Sequence, residues 1–155
     1  MQFKRDDDMN NDFHYSVFEY LYRDAGNWKS WGKLLLVGAV TSTDESHIQG
    51  KLEAGQFFIP EQIGVPPLSQ NLWHDAGGPT ATDHLWHEFV ALRTATFEEV
   101  NGCTEWGEIQ CLRDSVDDVK SWDTTQSRAY EELQSSFTRA RTNLGRGRRV
   151  LKMDS

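Results

Sequence analysis

The segment "DHLWHEF", residues 83–89, holds the side chains of this chain that are best suited to chemistry. His84, His87 and Glu88 could bind a metal ion or transfer a proton, because imidazole and carboxylate groups do both. On a helix, histidines three positions apart could share one ion, with the glutamate as a base. On a strand, His84 and His87 would point to opposite faces and could not chelate one ion together. The alternating pattern favours a strand, and therefore a structural role.

One metal alternative remains on a strand. Glu88 would share a face with His84, and His74 could approach from the preceding loop, which would give a zinc site of His74, His84 and Glu88. The two cysteines, Cys103 and Cys111, are separated by seven residues, which is not the spacing of zinc ligands. The sequence shows no phosphate loop, nucleophile elbow or dinucleotide fingerprint. We therefore predict no cofactor.

The segment "YRDAGNWKSWGK", residues 22–33, concentrates charged and aromatic side chains around a turn. Arg23 and Asp24 could pair across that turn, and two tryptophans flank a lysine. Tryptophan and arginine are enriched at the energetic centres of protein interfaces, whereas an aromatic-closed hairpin is the ordinary structural alternative. The predicted interaction residues are Arg23, Asp24, Asn27, Trp28, Lys29 and Trp31.

Three segments, "YLYRDAGNWKSWGKLLLVG", "GQFFIPEQIGVPPL" and "DHLWHEF", together resemble a small bacterial domain family of unassigned function. The family pattern runs Y-R-D-x-x-N-aromatic-K-x-x-G, then F-F-[IV]-x-E-x-[IV]-G-[IV]-P-x-L, then H-x-W-H-E. The resemblance covers about residues 15–92 and implies no particular reaction. The polar positions that it implies are shared are Arg23, Asp24, Asn27, Glu61, His87 and Glu88.

The charge of the chain is divided unevenly. Residues 1–138 carry 23 acidic and ten basic side chains, whereas residues 139–155 carry six basic side chains and one acidic. An acidic body repels nucleic acid and attracts basic partners, so we predict a protein partner with a basic surface. We do not expect nucleic-acid binding, except through the basic tail with Arg146, Arg148 and Arg149. No apolar run approaches the roughly 20 residues of a membrane span, and the chain has no signal-peptide pattern, so we expect a cytoplasmic protein with no membrane contact.

The element pattern predicts a single α+β domain over residues 13–144, in which 98–144 form a C-terminal extension with helices. Residues 1–12 are expected to be a disordered leader and residues 145–155 a flexible basic tail. The sheet is predicted to be antiparallel with three or four strands, packed against one short helix at 43–54 and a C-terminal helical segment. A hairpin is predicted between 13–22 and 34–40, with a bulge where the apolar parity shifts after Val17. Residues 84–97 are predicted to be a long strand and 69–82 a loop.

Further boundaries follow from capping and turn signals. Ser42 and Glu45 form a capping-box pattern before the first helix. Residues 108–112 suggest a short edge strand, and Ser115 suggests the start of a helix. Thr124 is predicted to cap a second helix that follows it.

These observations favour a non-enzymatic, acidic module that binds or neutralises a protein partner, in the manner of immunity, antitoxin or anti-defence proteins. The alternative is a small metal-dependent or general acid/base hydrolase that uses His84, His87 and Glu88. On the structural interpretation, His87 is buried and must find a hydrogen-bond partner, for which Asp24 and Glu61 are the predicted candidates. His84 is expected to stay in contact with solvent.

Overall fold

The computed structural model describes residues 14–138, which form a sheet with helices packed around it. The predicted leader (1–12), the basic tail (145–155) and the end of the C-terminal helical segment lie outside the described residues. Within residues 14–138 the strands are β1 (Tyr15–Arg23), β2 (Lys29–Val37), β3 (Phe57–Phe58), β4 (His87–Thr94) and β5 (Glu105–Glu108). The helices are α1 (Asp44–Lys51), α2 (Ser69–Asp75), α3 (Phe97–Gly102), α4 (Ile109–Asp117) and α5 (130–138). Two short 3-10 helices lie at Pro60–Ile63 and Thr124–Gln126.

The sheet is mixed and has five strands in the described part of the chain, in the order β3-β4-β1-β2-β5. β1 pairs antiparallel with both β2 and β4, and β3 pairs antiparallel with β4, whereas β5 runs parallel to β2. The α+β class is confirmed, but the prediction of a purely antiparallel sheet of three or four strands is wrong. The "EWGE" of β5 has no alternating apolar pattern that could reveal it, because this short strand pairs with the end of β2 and none of its four residues is buried.

The main core lies on one face of the central hairpin. Phe18, Tyr20 and Tyr22 alternate along β1 and are buried together with residues of the helices. The helical residues in this cluster include Ile48 of α1, Leu112 and Val116 of α4, and Leu133 of α5. Side chains two apart on a strand share a face, so this alternation supplies a continuous aromatic surface for the helices to cover.

The opposite face is partly covered by α3. Val17, Leu35 and Ala95 form a second, smaller buried cluster there. The apolar parity shifts after Val17 because both faces of β1 are covered, one by the main core and the other by the smaller cluster. The predicted bulge in β1 is absent from its pairing with β2, whose register is continuous. The register shift lies instead between β1 and β4, where Val90 is left without a partner.

Charged side chains continue this second face beyond the small cluster. Arg93 lies 2.5 Å from Glu19 and 2.7 Å from Glu99, and Lys33 lies 2.7 Å from Glu99. Glu99 also completes a capping box with Thr96 at the start of α3. The Arg93 guanidinium holds the pKa of Glu99 well below its usual range, so this carboxylate stays charged while it fixes α3 to the sheet.

Several predicted boundaries shift for identifiable reasons. Helix α1 is shorter than the predicted 43–54, and the side chain of its N-cap residue, Thr43, makes no capping hydrogen bond to the helix backbone. The predicted capping box of Ser42 and Glu45 is absent because Glu45 accepts a hydrogen bond from the backbone N–H of Leu92 in β4 at 3.1 Å. That bond satisfies a donor on the outer edge of β4 beyond the end of β3.

The C-terminal half differs most from the sequence pattern. Helix α4 begins at Ile109 and not at Ser115, so the predicted strand at 108–112 is mostly helical. Thr124 opens a 3-10 turn, and the following helix begins at residue 130. Helix α2 occupies part of the predicted loop at 69–82, because the buried Trp73 packs into the main core. β4 begins at His87 and not at residue 84. No helix of residues 14–138 is long and apolar enough to cross a membrane.

Candidate functional site

The turn between β1 and β2 is closed by hydrogen bonds of Asp24. Its backbone N–H donates to the carbonyl of Trp28 at 2.9 Å, and its carboxylate accepts from the N–H of Trp28 at 2.9 Å. Asn27 donates its N–H to the carbonyl of Asp24 at 3.0 Å and adopts a positive φ of 66°. Asparagine tolerates this left-handed conformation better than most residues. The turn therefore has a defined geometry.

The segment leading into β4 supports this turn from the side. Asp83 accepts hydrogen bonds from the N–H groups of Ala25 and Thr80, each at 2.7 Å. The hydroxyl of Tyr22 donates to the carbonyl of His84 at 2.7 Å. The segments 22–33 and 83–89, which lie far apart in the sequence, thus form one unit, and Asp83 joins them.

Arg23 and Glu88 make the ionic link in this unit. Arg23 Nε lies 3.0 Å from Glu88 Oε2, and Arg23 Nη1 donates to Asn27 Oδ1 at 2.5 Å. Gln56 Nε2 donates to Glu88 Oε1 at 2.9 Å. The predicted pairing of Arg23 with Asp24 is wrong, because Asp24 uses its carboxylate within the turn. Both oxygens of Glu88 are engaged, so this carboxylate is held as a structural acceptor.

The contact between Glu88 and Arg23 should contribute measurably to the stability of the fold. Replacing Glu88 with glutamine should lower the free energy of unfolding by about 1 kcal/mol, because the charge-assisted bond to a partly exposed arginine is weakened. Glu105→Gln is the matched control, since Glu105 is an exposed glutamate with no side-chain partner in residues 14–138. Urea denaturation of both variants checks this. Equal stability of the two variants would contradict the assigned role of Glu88.

His87 is buried in the main core, with 1% of its surface exposed. Its Nε2 accepts a hydrogen bond from the N–H of Leu68 at 2.9 Å, and its Nδ1–H donates to the carbonyl of Leu85 at 3.1 Å. Its ring stacks on Tyr22 at 5.2 Å between centroids. The predicted partners Asp24 and Glu61 are wrong. Glu61 instead accepts from Ser127 and Arg128, which lie far along the chain.

These bonds fix the protonation state of His87. Because Nε2 accepts, the ring is the neutral Nδ1–H tautomer. Burial lowers the pKa of His87 to about 4, so the imidazole is uncharged at neutral pH. A neutral histidine with both nitrogens bonded inside the core links β4 to the segment before α2, and it has no free nitrogen for a substrate.

His84 and His74 lie in other environments. His84 is half-buried, as expected of a residue in contact with solvent, and its Nδ1 accepts from the N–H of Trp86 at 3.1 Å. His74 approaches Glu132 at 3.5 Å. The alternative set of His74, His84 and Glu88 is therefore not assembled. Across residues 14–138, no three histidine, cysteine, aspartate or glutamate side chains are grouped so that they could hold a metal ion.

The predicted interaction residues divide into two groups. Arg23, Asp24 and Asn27 make internal hydrogen bonds and hold the turn, as described above. Trp28 and Trp31 are 73% and 62% exposed, and Lys29 is exposed between them in the sequence. We call these three exposed residues, Trp28, Lys29 and Trp31, the hairpin surface. Large exposed aromatic side chains on a rigid support are typical of binding sites, so this surface is the candidate functional site.

The fold and this surface define the class: an α+β protein whose mixed sheet presents two tryptophans on a braced hairpin. Comparison with known protein families, with curated proteins and with solved structures gives no match. The resemblance to a bacterial domain family therefore stays a prediction.

Proposed function

We propose that this protein is a non-enzymatic, acidic module that binds a protein partner through the hairpin surface. The observation that carries the proposal is the exposure of Trp28 and Trp31 beside a turn that hydrogen bonds hold in one conformation. A preformed surface loses little conformational freedom on binding, and tryptophan supplies much of the energy at protein interfaces.

Charge supports a basic partner surface. Residues 14–138 contain 19 acidic and eight basic side chains, and such an excess accelerates the approach of a positively charged protein. A module of this kind can neutralise its partner by covering a basic functional surface, as immunity, antitoxin or anti-defence proteins would. The hydrolase alternative has no supporting observation in the described residues, because His87 is buried and Glu88 is fully engaged.

We also propose a cytoplasmic location. Cys103 and Cys111 are both free thiols, and Cys111 is exposed. Free, exposed thiols persist in reducing compartments and tend to be oxidised elsewhere.

Site-specific photocrosslinking in cells of the host organism tests the proposal. A benzophenone amino acid at position 28 or 31 should give one discrete adduct with a second polypeptide, which mass spectrometry can identify. The same amino acid at position 97 is the matched control, since Phe97 is 72% exposed on α3. The proposal would be contradicted if the adduct formed in equal yield from all three positions, or if the only adduct were with a second copy of this chain.

A further inference from the structure

A second surface feature lies beside the β3–β4 pair. Glu53, Phe57, His84 and Trp86 line a groove of about 450 Å³. The groove is built by strand contacts: the N–H of Glu53 donates to the carbonyl of Phe57 at 2.8 Å, and Phe57 is paired with Glu88 in the sheet. Its volume lies within the range of ligand pockets, about 300–1,000 Å³. We call it the aromatic groove.

The aromatic groove contains polar groups that the fold does not use. Within the described part of the chain, the exposed carboxylate of Glu53 has neither a hydrogen bond nor an ion pair, and the indole N–H of Trp86 has no acceptor. His84 accepts a backbone N–H at Nδ1, so its Nε2 carries the proton. This Nε2–H makes no hydrogen bond within the described residues. The groove therefore combines one free carboxylate with the rings of Phe57 and Trp86, and its two unused N–H donors lie on the edges of the Trp86 and His84 rings.

This combination selects the chemical class of the ligand. The carboxylate repels phosphate and other anions, and a single carboxylate is a poor site for a metal ion. Aromatic faces beside a carboxylate suit an organic cation. Among protein side chains, arginine fits best, because its planar guanidinium stacks on aromatic rings and donates two parallel hydrogen bonds to a carboxylate. Lysine is more strongly hydrated and lacks the planar face.

We propose that the aromatic groove binds an arginine side chain of the protein partner. Its guanidinium would donate hydrogen bonds to the carboxylate of Glu53 and stack on the indole ring of Trp86. The inference rests on the proposed function, because it assigns the groove and the hairpin surface to the same partner. Contacts connect the two: Phe57 is paired with Glu88, which bonds to Arg23 at the base of the turn. The net negative charge of residues 14–138 is complementary to a segment that carries arginine.

The test uses the full chain and three short peptides that differ at one position. The peptides are acetyl-Gly-Arg-Gly-amide and its citrulline and lysine counterparts. Citrulline keeps the shape of arginine but has no charge. The readout is the indole N–H resonance of Trp86 in a proton–nitrogen correlation spectrum at low salt, assigned from the Trp86→Phe variant.

We expect the arginine peptide to shift this resonance saturably, and the citrulline peptide to bind at least about fivefold more weakly. Glu53→Gln should weaken arginine binding by about fivefold, whereas the control Glu105→Gln, which removes the same charge at the other edge of the sheet, should change it by less than about twofold. The lysine peptide should bind more weakly than the arginine peptide.

Three results would overturn the proposal. The first is equal binding of the arginine and citrulline peptides, and the second is binding that does not depend on Glu53. The third is binding that appears only after Arg146, Arg148 and Arg149 are replaced by glutamine, which would assign the groove to arginines of this chain itself. None of these results bears on Trp28 and Trp31, whose role the photocrosslinking experiment tests separately.

Discussion

Lowering the pH from 7 to 5 should reduce the free energy of unfolding by about 2 kcal/mol through His87 alone. The pKa of the buried imidazole is about 4, whereas that of an unfolded histidine is about 6.5. Between these values the unfolded chain binds a proton that the folded protein does not. The stability that His87 contributes is therefore complete above about pH 6.5 and is lost as the pH falls towards 4.

Urea denaturation across this range, for the parent and for His87→Gln, measures the effect. The variant should show a shallower dependence of stability on pH. It should also be less stable at pH 7 by about 1–3 kcal/mol. The glutamine amide can still accept from the N–H of Leu68, but it leaves the carbonyl of Leu85 without the Nδ1–H donor and removes the ring that stacks on Tyr22. His14→Gln is the control, since His14 is exposed and its side chain has no partner in residues 14–138. If His87→Gln and the parent had the same pH dependence, His87 would not be buried and neutral.

Gly32→Ala should strongly destabilise the central hairpin. Gly32 faces Tyr20 across β1 and β2, and a Cβ at this position would lie 2.6 Å from the tyrosine ring and 3.0 Å from Leu68. The ring cannot easily retreat, because Tyr20 is 1% exposed and its hydroxyl donates to the carbonyl of Pro66 at 2.6 Å. Such overpacking should cost about 2–3 kcal/mol.

Gly107→Ala provides the matched control for Gly32→Ala. Gly107 also lies in a strand, but a Cβ there would meet no atom within 4 Å. Alanine loses less conformational freedom than glycine on folding, so this control should be neutral or more stable by up to about 1 kcal/mol. Urea denaturation of both variants gives the comparison. Equal stability would show that Tyr20 does not pack over Gly32.

The central hairpin and the α+β class could be predicted because their signals are local. The aromatic alternation in β1, the apolar run in β2 and the turn residues between them lie within about 25 consecutive positions. The same segment also predicts Trp28 and Trp31 as interaction residues, and that role stays a prediction. Local patterns of this kind report burial and turn geometry directly.

The contacts that organise the candidate site are not local and left no such signal. Arg23 and Glu88 are 65 positions apart, and Glu45 bonds to a backbone N–H 47 positions away. β5 joins the sheet parallel to a distant strand and carries no apolar alternation. The partner of His87 is a backbone N–H, which every non-proline residue possesses, so residue types alone could not identify it.

The central claim is that Trp28 and Trp31 contact a protein partner, and the affinity of that contact tests it most directly. The polypeptide identified by photocrosslinking is purified, and its dissociation constant is measured by titration calorimetry against the parent and three variants. Trp28→Ala and Trp31→Ala should each weaken binding by at least about 30-fold, as expected for tryptophans at the centre of an interface. Phe97→Ala, which removes an equally exposed aromatic side chain from α3, should change the affinity by less than about twofold. If both tryptophan variants bound as tightly as Phe97→Ala, the hairpin surface would not be the binding site.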